Sequence, residues 1–142
     1  MIQAFNIRVY GLLLHQGKLL VIQEKFMDQV IYKFPGGGLE FGEGLHDCLI
    51  REFKEELNVK ISIQKHLYTQ EDFIVSAIHP TEQVLMVYYL VETASLDEMK
   101  VDEKVILSLE WKDLDEIKPE DLSLVTEQKV VEILLNQRKT IK

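Results

Sequence analysis

Cysteine is almost absent from this chain of 142 residues: Cys48 stands alone, so no intrachain disulfide can form. Its neighbourhood offers no histidine in a triad-like arrangement, and packing is its expected role. The chain also lacks a charged head followed by an apolar signal segment, because its N-terminus reads as a strand, and a cytoplasmic location is expected. Proline is scarce, with three residues in all. With no Pro-rich linker, repeat or low-complexity tract, residues 1–142 are expected to form a single domain. No apolar run approaches the roughly 20 residues of a bilayer-spanning helix, so no membrane partner is expected. Positive charge is in deficit, 16 Lys and Arg against 24 Asp and Glu for a formal net charge of -8. That balance argues against a nucleic acid polymer or an anionic surface as the main partner. Two further absences narrow the chemistry. No D-x-D-x-D-G loop of the calcium-binding type occurs, and His46, His66 and His79 have no metal-ligand spacing.

Glycine is also sparse, yet three of the seven are consecutive. They sit in the segment Phe34 to Val59, FPGGGLEFGEGLHDCLIREFKEELNV. Gly36, Gly37 and Gly38 allow positive φ and close approach to a ligand. Leu45, Leu49, Phe53 and Leu57 then recur every four residues, which predicts a helix over 45–57 with one apolar stripe. Glu52 and Glu56 are spaced i, i+4 and Glu52 and Glu55 i, i+3, so three carboxylates project together, roughly 5–6 Å apart at Cβ. Such like charges repel, and a hard cation such as Mg2+ or Mn2+, sharing its shell with substrate phosphates, would offset the repulsion. Arg51 carries a permanent planar charge suited to a bidentate partner, and Glu43 is expected to pin the loop to the helix through it. The bland alternative is a solvated acidic helix face, which Lys54 does not turn into a salt-bridge ladder.

Gly37, five residues, Glu43, seven residues and then Arg51-Glu52-Phe53-Lys54-Glu55-Glu56-Leu57 resemble the Nudix box. Tyr32-Lys33-Phe34-Pro35 is similar to the strand that leads into it. One departure is Asn58, which stands where the box has its last glycine; asparagine tolerates the left-handed region, so a C-cap is expected there. The resemblance implies an α/β/α sandwich with a mixed β-sheet, and a Mg2+-dependent pyrophosphohydrolase acting on a nucleoside diphosphate derivative. Cleavage of a nucleoside triphosphate to the monophosphate and pyrophosphate is the form that chain length favours. A non-catalytic nucleotide-binding or sensing module is the alternative, although such modules tend to lose box acids. The resemblance also leaves a homodimer open.

A pyrophosphate resists hydrolysis because its charge repels a nucleophile, so catalysis needs neutralisation, an activated water and in-line positioning. Glu52, Glu55 and Glu56 are the expected metal ligands, with the Gly36 carbonyl in addition. Glu52 is the first candidate for the general base and Glu55 the second. A late-loop acid, Glu98 or Glu103, is a further ligand candidate implied by relatives. Arg8 and Lys25 are candidates for substrate phosphates. Phe5, Tyr32, Phe73, Tyr88 and Tyr89 can stack on a base by type, although strand aromatics are usually core.

The remaining elements are read from periodicity. Phe5 to Leu14 and Lys18 to Glu24 form a hairpin, Ile31 to Phe34 a short strand, and Lys60 to Leu67 and Asp72 to Ala77 further strands. Gln83 to Glu92 reads as a buried strand, Thr93 to Glu103 as a charged loop and Val105 to Trp111 as the last strand. Ser123 to Gln137 closes the chain as a helix, with Ser123 or Asp121 near its N-cap and Leu124, Val131, Leu134 and Leu135 on its buried face.

Overall fold

The computed structural model describes residues 1–140. Its strands are β1 (Ala4–His15), β2 (Lys18–Phe26), β3 (Gln29–Lys33), β4 (Gly36–Gly38), β5 (Ile61–Thr69), β6 (Ile74–Val75), β7 (Glu82–Thr93) and β8 (Ile106–Asp113), and its helices are α1 (Leu45–Leu57) and α2 (Val125–Thr140). The central order is β3-β2-β1-β7-β5, with β4 on β1, β6 on β7 and β8 on β2. The sheet is mixed, because β1 runs parallel to β7 from Ala4↔Glu82 to Leu13↔Val91 while the other pairings are antiparallel.

Two-faced burial explains the near-continuous apolar runs. Along a strand the side chains alternate, so Val9, Leu13, Leu20, Ile22, Val87 and Val91 face one layer, and Tyr10, Leu12, Leu19, Val21, Met86 and Tyr88 the other. The first layer is closed by α1 through Cys48, Leu49, Phe53 and Leu57, and the second by α2 through Val130, Val131 and Leu134. An α/β/α sandwich results. β1 also forks the sheet: its end hairpins with β2 at Leu14↔Leu19, while Arg8, Val9 and Tyr10 pair with Gly38, Gly37 and Gly36 of β4. The glycine run is therefore a short strand that delivers its backbone to the head of α1.

Helix α1 spans the residues its periodicity predicts. Gly44 opens it, donating its N–H to Asp47 Oδ2 at 3.2 Å. Asn58 ends it in the left-handed region at φ 55 and ψ 33, and its N–H returns to the Lys54 carbonyl. Two expectations change. Helix α2 begins at Val125 because Ser123 is used elsewhere: its Oγ accepts from Tyr32 N, and its own N–H donates to the Tyr32 carbonyl. Leu124 therefore lies ahead of the helix and is half-buried, as is Leu135, and Thr126 and Glu127 join the buried face. The expected strand from Asp72 to Ala77 is reduced to Ile74–Val75. Buried Gln70 takes over there, donating to the Asp72 and Val84 carbonyls and accepting from Met86 N.

Candidate active site

Gly36 and Gly37 fix the geometry from which the site is built. Gly36 has φ +151, and a Cβ there would collide with the Val9 carbonyl and Tyr10. Gly37 has its constraint on the other side, where a Cβ would overlap the carboxylate of Glu52. The Glu52 head is thus lodged against bare backbone, in a cradle that any side chain would fill.

Arg51 ties this arrangement together. Its Nη2 donates to Glu43 Oε1 at 2.7 Å and its Nε to Glu43 Oε2 at 3.0 Å, the expected bidentate pair. Nη2 also donates to the Gly38 carbonyl at 3.0 Å, fastening β4 to α1. Its other nitrogen, Nη1, meets Glu52 Oε2 and Glu55 Oε2, each at 3.2 Å. The hydrogen bonds from Arg51 and from the Glu40 amide hold the Glu43 carboxyl down at about 2. Arg51 is raised in turn, first by its hydrogen bond to Glu43. Cys48 lies behind this pair, buried, with Sγ 3.5 Å from the Gly38 carbonyl. Burial pushes its thiol up to about 12, consistent with packing.

The box acids are not equivalent. Glu55 is exposed and held by Arg51. Glu52 is mostly buried, and desolvation raises its pKa against the opposing charge of Arg51. Glu56 is pushed up to about 7 by burial and by the nearby Glu52 and Glu24, against the charge of Lys33 and the Gly36 amide. Its Oε1 is buried and, among the described residues, has no hydrogen-bond partner. An orphaned carboxylate oxygen beside a second lodged carboxylate fits the oxygen-only shell of Mg2+ or Mn2+. Glu52 and Glu56 are the pair that fits. Among the described residues no three His, Cys, Asp or Glu groups converge to hold a metal, and Arg51 Nη1 meets both Glu52 and Glu55. Glu98 and Glu103 are exposed, and among the described residues neither forms an ion pair. Their loop docks on α1 through its backbone, Asp102 N donating to the Glu56 carbonyl at 2.8 Å.

On the α2 side of the sheet, in the fork between β1 and β2, lies a cavity of about 360 Å3. Ile74, Val84, Met86 and Leu124 give it apolar walls, and Arg8, Tyr10, Glu24 and Lys33 its polar floor. Arg8 Nε donates to Tyr10 Oη at 2.6 Å, and Arg8 Nη1 lies beside Gly38. Burial alone would lower the pKa of Lys33, but Tyr10, Glu24, Glu127 and Glu56 outweigh it and keep the ammonium charged. Its nearest carboxylate, Glu24 Oε1, is 3.9 Å away, too long for a hydrogen bond.

Lys25 does not reach this cavity. Strand alternation turns Glu24 and Phe26 toward it and leaves Lys25 exposed, so Lys33 is the second cation of the floor. The aromatic candidates disperse: Tyr88 and Tyr89 are buried on opposite faces, Phe5 and Phe73 are exposed, and Tyr32 is half-buried. Sequence reasoning missed Lys33, Glu24 and Glu127. Glu127 carried a legible signal, an acid on the same stripe as Val130, Val131 and Leu134 at helical spacing.

Together the sandwich, the acid-bearing helix and the cavity define a class of α/β protein that presents carboxylates from a helix beside a glycine strand. The NUDIX domain model matches residues 4–132, and the chain belongs to that family. Among curated relatives, it is 32% identical over 92 residues to the nucleoside triphosphatase NudI of Escherichia fergusonii, covering 62% of each chain. It is 32% identical over 80 residues to an RNA pyrophosphohydrolase of Campylobacter jejuni, covering 52% of this chain and 51% of the relative. The chain thus spans between 51% and 62% of the length of these two relatives. The crystal structure of a MutT NUDIX hydrolase from Burkholderia pseudomallei superposes with a TM-score of 0.76 at 21% identity, covering 93% of this chain and 99% of that one, a likeness of fold. No helix among the described residues is long and apolar enough to cross a membrane.

Proposed function

We propose that this protein is a Mg2+- or Mn2+-dependent pyrophosphohydrolase that cleaves the diphosphate linkage of a nucleoside diphosphate derivative. A nucleoside triphosphate, cut to the monophosphate and pyrophosphate, is the leading substrate, in keeping with the name of the NudI relative. The observation that carries the reading is the buried, partnerless Glu56 Oε1 next to Glu52 in its glycine cradle. Glu52 and Glu56 would hold the cation, with Glu55 completing its shell directly or through water. When bound, the ion polarises phosphoryl oxygens and lowers the pKa of its water.

The chain's own groups do the rest. Arg8, beside Gly38 and within the field of Glu52, meets a substrate phosphate. Lys33 offers its N–H groups to an acceptor on the substrate in the cavity, which has room for a base and part of its sugar. Water attacks phosphorus in line, the bridging P–O bond breaks with its electron pair on the leaving phosphate, and the proton passes to the Glu52 carboxylate. Glu52, lodged against Gly37, is the first candidate for that acceptor and exposed Glu55 the second. The reading also carries a cytoplasmic location.

A binding or sensing module is the second reading, and one observation favours it: Arg51 holds both Glu52 and Glu55. Product release from a panel of nucleoside triphosphates, dinucleoside polyphosphates, nucleotide sugars and ADP-ribose, with Mg2+ and with chelator, separates the two. Metal-dependent release supports the hydrolase. Binding without release supports the module.

A further inference from the structure

The acid-bearing face belongs to α1, yet the glycine strand beside it is held from the opposite layer. Strand β3 is the edge of the sheet, pairing among the described residues only with β2, and the N–H groups of Tyr32 and of Phe34, just past its end, turn away from that ladder. An edge amide buried without an acceptor is costly. Both amides are met by side chains four residues apart at the head of α2. Ser123 Oγ accepts from Tyr32 N at 2.8 Å, and Glu127 Oε1 from Phe34 N at 3.2 Å. Ser123 N adds a third bond, to the Tyr32 carbonyl at 2.9 Å. Ser123, two residues ahead of α2, and Glu127, in its first turn, thereby meet alternate amides at the end of β3, and the head of α2 takes the place of a missing neighbour strand.

Glu127 is itself anchored. It is fully buried, and its Oε2 accepts from Tyr88 Oη at 3.2 Å, while Tyr88 stacks on Tyr10 with ring centroids 5.4 Å apart. Phe34 is two residues ahead of Gly36, whose amide faces Glu56, and three ahead of Gly37, against which Glu52 lodges. A shift of Phe34 moves both contacts.

We infer that Glu127 is a positioning residue for the candidate metal site: by holding the Phe34 amide from α2, it sets the glycine strand against Glu52 and Glu56. The inference rests on the pyrophosphohydrolase reading above. The hydrogen bond is what matters, so Glu127→Gln, which keeps a carbonyl acceptor, preserves the site, and Glu127→Leu, similar in bulk without an acceptor, loosens it. Partners that orient metal ligands are worth roughly 10- to 100-fold in metal affinity or activity.

The test is Mn2+ binding by the metal-free protein, followed by calorimetry, with nucleotide hydrolysis measured alongside, for wild type, Glu127→Gln, Glu127→Leu and Ser123→Ala. Each is assayed well below its own melting temperature. The expected result is a rise of at least about 10-fold in the Mn2+ Kd for Glu127→Leu, with a matching fall in kcat, and near wild-type values for Glu127→Gln. Ser123→Ala, a change at an exposed residue, gives a smaller loss in the same direction and decides the matter if the leucine variant does not fold. Wild-type Mn2+ affinity in Glu127→Leu or, failing that, in Ser123→Ala overturns the inference, as does equal loss in Glu127→Gln and Glu127→Leu. A merely structural role would lower the melting temperature and leave the Mn2+ Kd unchanged. Wild-type protein that neither binds Mn2+ nor releases product would overturn the functional reading itself, and the positioning role with it.

Discussion

Replacing Glu127 by glutamine should make the protein more stable at alkaline pH and leave its stability little changed in acid. Glu127 has no exposed surface, and burial pushes its carboxyl up to about 7 from 4.5, against the pull of Lys33 and the Phe34 and Tyr88 hydrogen bonds. A raised carboxyl favours the folded state fully below the unfolded value, and that advantage is lost as pH rises through the folded value. A carboxyl releasing its proton near 7 when folded and near 4.5 when unfolded costs the fold roughly 3 kcal/mol once both forms are ionised. Glutamine keeps the acceptor for Phe34 N, turns its amide toward the Tyr88 oxygen and has nothing to ionise. Urea unfolding of wild type and Glu127→Gln from pH 4.5 to 8.5, in chelator, reads the effect. Glu56, also raised to about 7, contributes equally to both proteins and cancels in the difference. The variant's advantage should grow across this range to about 3 kcal/mol. A difference that does not change with pH refutes the reasoning.

Gly37→Ala should cost activity without costing the fold: the new Cβ displaces only the flexible end of Glu52, so turnover falls roughly 100-fold while the melting temperature holds, and full turnover contradicts the cradle. Arg51→Lys loses the fork on Glu43 and the bond to the Gly38 carbonyl, and chemical denaturation should show a loss of roughly 1–3 kcal/mol. Because Glu43 is held down at about 2, the stability its pairing contributes is present above its unfolded value near 4.5 and lost as pH falls through about 2. Carboxyl NMR should place the Glu43 midpoint near 2, and a midpoint near 4.5 would show that the pair does not form in solution.

What the sequence disclosed was whatever a local pattern can encode. Helix α1 was legible because its apolar stripe and its left-handed Asn58 act within a few residues of one another. The Arg51 and Glu43 pair was legible for a similar reason, a fork and a carboxylate eight residues apart across a glycine turn. Strands β1, β2 and β7 were recognisable as apolar runs, but not that β1 forks to pair with β4 as well as β7, since register is not written in composition. The start of α2 was misplaced because Ser123 looks like a cap and instead serves the edge of β3, 91 residues away. The cavity floor was hidden most deeply. Lys33 and Glu24 come from two strands, with Glu127 brought up from α2 near Lys33, and a charged residue reads as surface until its opposite charges are brought around it. Lys25 lies outside the cavity for the converse reason: one step along β2 separates a side chain in the cavity from one in solvent.

The most direct test of the central claim is product release from nucleoside triphosphates with Mg2+ and with chelator, for wild type, Glu52→Gln and Glu56→Gln. The account predicts metal-dependent formation of monophosphate and pyrophosphate by wild type, with both variants folded and reduced by roughly 100-fold or more. Wild-type turnover by both variants under saturating Mg2+ would contradict the assignment of the site to the acids of α1.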